Sequence, residues 1–449
     1  MATLPASVVQ SPVVTAIYAW WEGKLDRVSR RLGASQIGRP CDRELWYSFR
    51  WCGTGAKFDG RMRRLFNRGH REEAVFTDEL RGIGMTVHDL DPATGEQFTF
   101  TACGGHFVAK IDGVGQGVPG AEKAWHNIGY KTINADGFKK LVKEGVLKAK
   151  PEHYAQNQVE MKLADLDRTL YLSVNKNTDE LYGERIRLDT EAADRLLDRA
   201  DRVIFSPEPL DGVSTDAAHW QCRGCSFHAV CHTARLPAPS CRTCLHATPE
   251  RDGDGRWSCA LADAGVSIPL DVQRSGCESH LYIPALLKRW GEVEDASEAE
   301  GWVSYKAADG HEFRNGPWGL TSYTSKELSG WTPSLLRDPQ FAHLREKYEA
   351  RFLSDALPEA EPVKDSAIYR WHYYADPAAN TAHRHLGCYL PGAGSGGRDK
   401  HICWIPQGHP DSARAIAEAD ENMDDARGEF APRANDGDLF NPAEWEAAA

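Results

Sequence analysis

The sequence predicts an α/β fold: an α/β core flanked by helices, followed by a small cysteine-rich zinc-binding module and a C-terminal α+β region. Three observations lead there. Segments of helical spacing and runs of period-two alternation succeed one another up to about residue 203. Composition then changes, and seven of the twelve cysteines crowd residues 222 to 277. Beyond these, strand-like and aromatic segments return in shorter, less regular order.

Each element has a local reason. "SPVVTAIYAWWEGKLDRVSRRLG" has helical spacing, a Ser-Pro start and a glycine stop expected at Gly33. "CDRELWYSFRW" reads as helix, and the basic stretch after it continues into "GHREEAVFTDELRGIG". "MTVHDLD", "EQFTFTA", "HFVAKIDGVGQ" and "AWHNIGYKTIN" alternate with glycine-rich joints, as strands of a meander do. "ADGFKKLVKEGVL" and "PEHYAQNQVEMKLADL" are helical, the second with Pro151 near its first turn. "RTLYLSVNK" and "ELYGERIRLD" return to strand, and "TEAADRLLDRADRVI" to helix. "RLPAPS" is a short stiff linker, and residues 288 to 356 look like a small α+β unit. The expected domains are 1–232, 236–287, 288–356 and an irregular, acidic region 357–449.

With 449 residues the chain can bury a large core. It has no run of eighteen apolar residues, so no membrane span is expected. "MATLPASVVQSPVV" lacks the pattern of a secretion signal, which points to the reducing cytoplasm. The formal net charge of −12 argues against indiscriminate nucleic-acid binding. Residues 411 to 449 hold eleven Asp or Glu against three Arg, whereas 57 to 71 hold Lys57, Arg61, Arg63, Arg64, Arg68 and Arg71 with one Asp. That basic stretch is either a solvated helix face or a surface that tracks phosphates.

Clustered cysteines in a reducing compartment indicate metal ligation. Cys222, Cys225 and Cys231 form C-x2-C-x5-C, with Cys41 the best fourth thiol; His228 or His232 would complete a zinc site instead. Cys241, Cys244, Cys259 and Cys277 form C-x2-C-x14-C-x17-C, which suits a four-thiolate zinc ribbon with "DGDG" as its turn and Trp257 over the site. His246 and His280 are alternative ligands there. Cys52 and Cys103 read as core residues. His383, His385, Cys388, His401 and Cys403 offer a weaker third group.

A lone upstream cysteine with a downstream triplet resembles the iron–sulfur staple of AddB-type and CRISPR-associated RecB-like nucleases. Over roughly residues 30 to 232 the chain resembles the RecB-like branch of the PD-(D/E)XK superfamily, whose core is a mixed sheet flanked by helices. The region after 232 is similar only loosely, to zinc-containing appendages of phage-encoded versions. The resemblance implies a 4Fe–4S cluster on Cys41, Cys222, Cys225 and Cys231, and Mg²⁺ or Mn²⁺ at a catalytic site. It implies a DNA nuclease, with an exonuclease favoured, in recombination, repair or phage genome processing. DNA would be the partner, with a recombination or phage replication or packaging protein as a further one, in a bacterial cytoplasm.

The family fingerprint falls on Asp112 as the strand-end acid, Lys131 as the lysine, Gln156 on the following helix, and Glu73 with His70 on the upstream helix. Two places before the lysine the family carries a glutamate, and here stands Gly129. Gln156 and Glu160 are four apart and share a helix face. The implied repair is a migrated acid, with Glu160 joining Asp112 as metal ligand. Glu160 paired to Lys162, Glu122 as the ligand, or a silent domain that binds DNA or protein without cutting all stay open. So does a metal-stabilised assembly protein.

Overall fold

The computed structural model describes residues 11–24, 29–53 and 58–348, together with the backbone of four strands between 360 and 406. It divides into two units, Met1–Thr233 with Ser240–Ser275, and Ala234–Pro239 with Gly276–Ala449. The first unit begins α1 (Pro12–Glu22), β1 (Leu32–Gly33), α2 (Ala34–Ile37), α3 (Asp42–Phe49) and α4 (Gly60–Gly82). It continues β2 (Thr86–His88), β3 (Thr99–Ala102), β4 (Phe107–Lys110), β5 (Gly113–Gln116), β6 (His126–Ile133), α5 (Ala135–Ala149) and α6 (Pro151–Leu163). β7 (Arg168–Asn175), β8 (Leu181–Arg187), α7 (Thr190–Phe205), α8 (Trp220–Arg223) and α9 (His228–His232) follow. The cysteine-rich stretch adds β9 (Ala247–Pro249), β10 (Trp257–Cys259) and α10 (Leu270–Ser275).

A five-stranded sheet of order β2-β5-β6-β7-β8 forms the centre. Its pairs are antiparallel except β6 with β7, which run parallel with Gly129 opposite Tyr171. A parallel pair needs a crossover, and α5 and α6 supply it. The strand period of two then sorts β6 into two faces. Ile128 and Tyr130 join Phe76 and Leu80 of α4 in one cluster, whereas Ile133 joins Phe138, Leu141 and Met161 of α5 and α6 in another. Asn127, Gly129 and Lys131 therefore lie on the α6 face.

Two local expectations change. The first helix ends at Glu22, beside Gly23 rather than at Gly33, because glycine weakens helix propagation at once. Leu32 and Gly33 pair instead with Phe107 and Val108. "HFVAKIDGVGQ" is not one strand: β4 belongs to a second sheet of order β1-β4-β3, and β5 to the central one. Asp112 sits at the break between them.

The cysteine-rich stretch up to Ser275 clusters with the first unit rather than standing as a module of 236–287. Buried cations and rings explain this. Arg242 is buried, donates to the carbonyls of Phe49 and Arg30 at 2.9 Å each, and lies over Trp51 and Trp257. Trp257 packs against Phe49 and His106, so it joins the β9–β10 hairpin to the core.

In the second unit β11 (Glu292–Ser297), β12 (Trp302–Lys306), β13 (Glu312–Asn315) and β14 (Ser322–Tyr323) form one sheet over a core that includes Tyr305, Phe313, Trp331 and Phe341. A buried ion pair, Arg345 to Glu327 at 2.7 Å, crosses it. The stretch after 357, expected to be irregular, carries a four-stranded antiparallel sheet: β15 (Ala360–Asp365), β16 (Arg370–Ala375), β17 (Arg384–Leu390) and β18 (Lys400–Pro406). The side chains of His385, Cys388, His401 and Cys403, and all of His383, lie outside the described residues, as do residues 407–449 and Lys57. Among the described residues no helix is long and apolar enough to cross a membrane.

Trp257→Ala is expected to lower stability by about 3–5 kcal/mol, as emptying a buried aromatic site does. Urea unfolding of the two proteins checks it.

Candidate active site

The floor of the site is the α6 face of β6. Asp112 reaches it from the break before β5, where its Oδ2 accepts a hydrogen bond from the Tyr130 backbone N–H at 2.9 Å. Since Gly113 pairs with Ile128, this places Asp112 beside Gly129. Lys131 follows two residues later on the same face, half-buried.

Glu160 comes from α6 and is 2 % exposed. Both of its oxygens are held: Gln156 Nε2 donates to Oε1 at 2.7 Å, and Asn127 Nδ2 donates to Oε2 at 3.2 Å. Asn127 also donates to Thr169 Oγ1 at 3.1 Å, which ties the arrangement to β7. Burial is the main influence on the Glu160 carboxyl and raises it from 4.5 to about 7. The Lys131 charge opposes that rise, and the Asp112 charge adds to it. The fold thus gathers Asp112, Lys131, Gln156 and Glu160 into one electrostatically coupled group.

Gly129 explains the geometry. A Cβ there would point at α6 and stand 3.2 Å from Asn157 Oδ1. The space a strand side chain would enter is therefore lined by α6, the helix that carries Glu160. Lys162 does not pair with Glu160; its partner is Asp194 at 2.9 Å. Glu122 lies in the β5–β6 loop, where its Oε1 accepts from the Gly120 N–H at 2.8 Å. It is at the far end of the hairpin from Asp112.

The donor set fits a hard divalent cation. Two carboxylates repel one another across a buried face, which a cation relieves. Among the described residues Asn127 Oδ1 and Asn157 Nδ2 are buried without a partner, so this face has polar capacity left over. Even so, among the described residues no three His, Cys, Asp or Glu groups stand together as a finished metal site.

The other candidates fall elsewhere. His70 Nδ1 and Glu73 Oε2 are 3.5 Å apart on an exposed part of α4. Arg63 donates to the carbonyls of Phe58 and Lys24, and Arg68 to that of Lys176. Arg61, Arg64 and Arg71 are exposed.

Cys41, Cys222, Cys225 and Cys231 line one cavity of about 480 Å³, together with His228 and His232. Cys41 caps α3, its sulfur accepting the Glu44 N–H at 3.4 Å, and Arg43 Nη1 donates to Cys231 Sγ at 3.8 Å. Burial raises the Cys222 thiol, and the neighbouring Cys231 and Cys41 raise it further. Four thiols from two ends of the unit thus line one cavity, although among the described residues no three or more His, Cys, Asp or Glu groups are arranged to hold a metal ion. Cys241, Cys244 and Cys259 belong to the first unit, with Cys259 paired opposite Ala247 at the base of the hairpin. Cys277 belongs to the second unit and is exposed. The sequence spacing treated the four as one module, although a domain division falls after Ser275. His246 and His280 likewise fall on opposite sides of that division. Cys52 is buried as expected; Cys103 is half-buried in a turn with φ 51°.

Sequence reading missed Asn127, Thr169 and Asn157. The available signal was parity: Asn127 is two residues before Gly129, so a buried strand places an amide on the same face as the absent acid. His153, one turn ahead of Asn157, bonds the Tyr171 hydroxyl at 2.9 Å. Burial, with Lys131 and Lys150 nearby, lowers its pKa to about 3 and keeps it neutral.

No protein-family model and no curated protein matches the chain. Among solved structures it is similar to SSO0001, at 12% identity and a TM-score of 0.32, over 49% of this chain and 95% of that one. It is also similar to the alkaline exonuclease LHK-Exo of Laribacter hongkongensis, at 16% identity and a TM-score of 0.26 over 42% and 90% of the two chains. The same exonuclease in complex with dAMP gives 16% and 0.28 over 41% and 89%.

The folded chain holds the Glu160 proton more tightly than the unfolded chain, whose carboxyl has its ordinary value near 4.5. The cost of ionising it in place is absent below pH 4.5, grows between 4.5 and about 7, and is complete above. Glu160→Gln should therefore stabilise the cation-free protein above pH 7, on the order of 3 kcal/mol, and leave it unchanged at pH 4. Urea unfolding at the two pH values measures the difference.

Proposed function

We infer that the protein is a divalent-metal-dependent DNA nuclease, with end-directed cutting the favoured mode. The observation that carries this reading is the buried Glu160, held on both oxygens and coupled to Asp112 and Lys131 across the face where Gly129 leaves room. An ionisable group this costly to bury is expected where chemistry requires it.

Asp112 and Glu160 would hold Mg²⁺ or Mn²⁺, which supplies Lewis acidity and charge at the scissile phosphate. Asn127 and Gln156 orient Glu160, and the Tyr130 N–H fixes Asp112. Gln156 thus acts through Glu160. Lys131 offers a positive charge to the oxygen on which negative charge develops. His153, neutral, adds no competing charge. Arg61, Arg64 and Arg71, exposed on α4, would meet backbone phosphates, while Arg63 and Arg68 bond neighbouring backbone carbonyls. His70 and Glu73 remain outer assistants. The first cysteine set would hold a 4Fe–4S cluster, or zinc, closing the two ends of the nuclease unit, and Cys241, Cys244 and Cys259 would hold zinc within the first unit. The competing reading is a silent DNA-binding or docking factor, favoured by Gly129 alone.

End-labelled linear DNA with Mg²⁺ or Mn²⁺ decides between them. The natural protein should cut, and Asp112→Ala, Lys131→Ala and Glu160→Ala should each lose on the order of 10²–10³ in rate while still folding. Returning the acid to the strand, as Gly129→Glu with Glu160→Ala, should recover part of that loss. A natural protein that never cuts leaves the binding reading. If Glu160→Ala cuts normally, the acid has not moved. Anaerobic purification with metal analysis should find iron that disappears in Cys41→Ser and zinc that stays; zinc alone in both proteins would remove the cluster.

A further inference from the structure

The face that gathers Asp112 and Glu160 offers a cation two carboxylates, and among the described residues no group of three His, Cys, Asp or Glu forms there. A hard divalent cation takes about six oxygen ligands, so neutral oxygens must complete the set. Asn157 is placed to give one. It is 2 % exposed and stands on α6 three residues before Glu160, a spacing that puts both on one side of the helix. Its Oδ1 faces Gly129, 3.2 Å from where a Cβ there would be, and Thr169 Cγ2 is 3.9 Å from the same point. Thr169 also accepts from Asn127, the amide that holds Glu160 Oε2. Asp112 bonds the N–H of the next residue, Tyr130, at 2.9 Å. Gly129 is thus bordered by Asp112, by the bracket of Glu160 and by the Asn157 amide oxygen.

The neighbouring amides on α6 have structural tasks. Gln156 holds Glu160 Oε1, and Gln158 donates to the Arg187 carbonyl and accepts from the Asp189 N–H. Asn157 differs: among the described residues its Nδ2 is buried without a partner. A buried donor left in that state lowers stability, and an apolar side chain of similar size would avoid the loss. Such a group marks a place that a ligand completes. A cation on Oδ1 does so at both ends of the amide, because Mg²⁺ keeps several bound waters and these bring Nδ2 an acceptor.

We propose that Asn157 is a third oxygen ligand of the divalent cation, its Oδ1 joining Asp112 and Glu160 over Gly129. This deepens the nuclease reading and rests on it for the cation itself.

Titration of the full-length protein with Mn²⁺ at pH 8, without DNA, tests it, with free Mn²⁺ counted by electron paramagnetic resonance. The natural protein should hold Mn²⁺ at a site that Asp112→Ala abolishes. Asn157→Leu should weaken that site about tenfold or more. Its urea unfolding midpoint without added cation should stay the same or rise, since no hydrogen bond is lost. Asn157→Asp, which keeps an oxygen in place, should bind Mn²⁺ at least as tightly as the natural protein. Normal Mn²⁺ binding by Asn157→Leu overturns the proposal and leaves the nuclease reading standing. A cation-free Asn157→Leu that unfolds at lower urea also overturns it, because the amide then serves the fold. Weaker binding by Asn157→Asp overturns it whether or not Asn157→Leu folds. Mn²⁺ binding that ignores both Asp112→Ala and Glu160→Ala removes the cation site, and the nuclease reading falls with the proposal.

Discussion

The parallel pairing of β6 with β7 constrains the rest of the first unit. Parallel neighbours cannot be joined by a tight turn, so the chain must leave the sheet, cross one face and return. Here that crossing is α5 and α6, and it puts the polar row of α6 against the odd-numbered side chains of β6. Glu160 and Asn127 meet because of that route, although thirty-three residues separate them. On the opposite face Tyr130 stacks on Phe76 at 5.2 Å and bonds Thr77, so α4 holds the strand from behind. One strand thus carries an apolar anchor and a polar site on alternate residues.

The same geometry makes a moved acid workable. A carboxylate supplied from β6 would start at Gly129 and point toward α6; one supplied from α6 points back toward β6. The helix version needs a bracket, because a glutamate side chain has rotamer freedom that must be lost to hold a fixed position. Gln156 on the same helix and Asn127 on the strand supply it, one to each oxygen. The buried carboxyl then rises to about 7, so it is partly protonated at neutrality.

Joining of distant segments is the other theme. Cys41, at the start of α3, reaches the cavity lined by Cys222, Cys225 and Cys231. Arg199 reinforces the approach through Asp42 at 2.5 Å and the Arg39 carbonyl at 2.6 Å. The hairpin of β9 and β10 is held by buried Arg242 and Trp257. Two buried guanidinium groups, Arg50 and Arg242, donate to backbone carbonyls and lie over aromatic rings, which offsets part of their desolvation. Burial lowers Arg50 to about 10 and Arg242 to about 9, which leaves both charged at neutral pH.

What the sequence by itself determined was whatever depends on near neighbours. The helices α3 to α7 and the strands β2, β3, β6, β7 and β8 follow from spacing, caps and glycine joints. The proximity of Gln156 to Glu160 follows from the helix repeat. Cys41 reads as the best fourth thiol for the downstream triplet, with His228 or His232 as the zinc alternative; which of them shares a metal is not a local matter. Tertiary structure alone decided that Asp112 sits at a break between two sheets, because period and composition look continuous through "FVAKIDGVGQ". It alone set Asn127 under Glu160, tied up Arg63 and Arg68, turned Trp257 toward the core, and divided the cysteine quartet after Ser275. These outcomes depend on register, crossover direction and which buried donor finds which acceptor. Such quantities are settled only when segments far apart in the chain exclude water together, so no local pattern carries them.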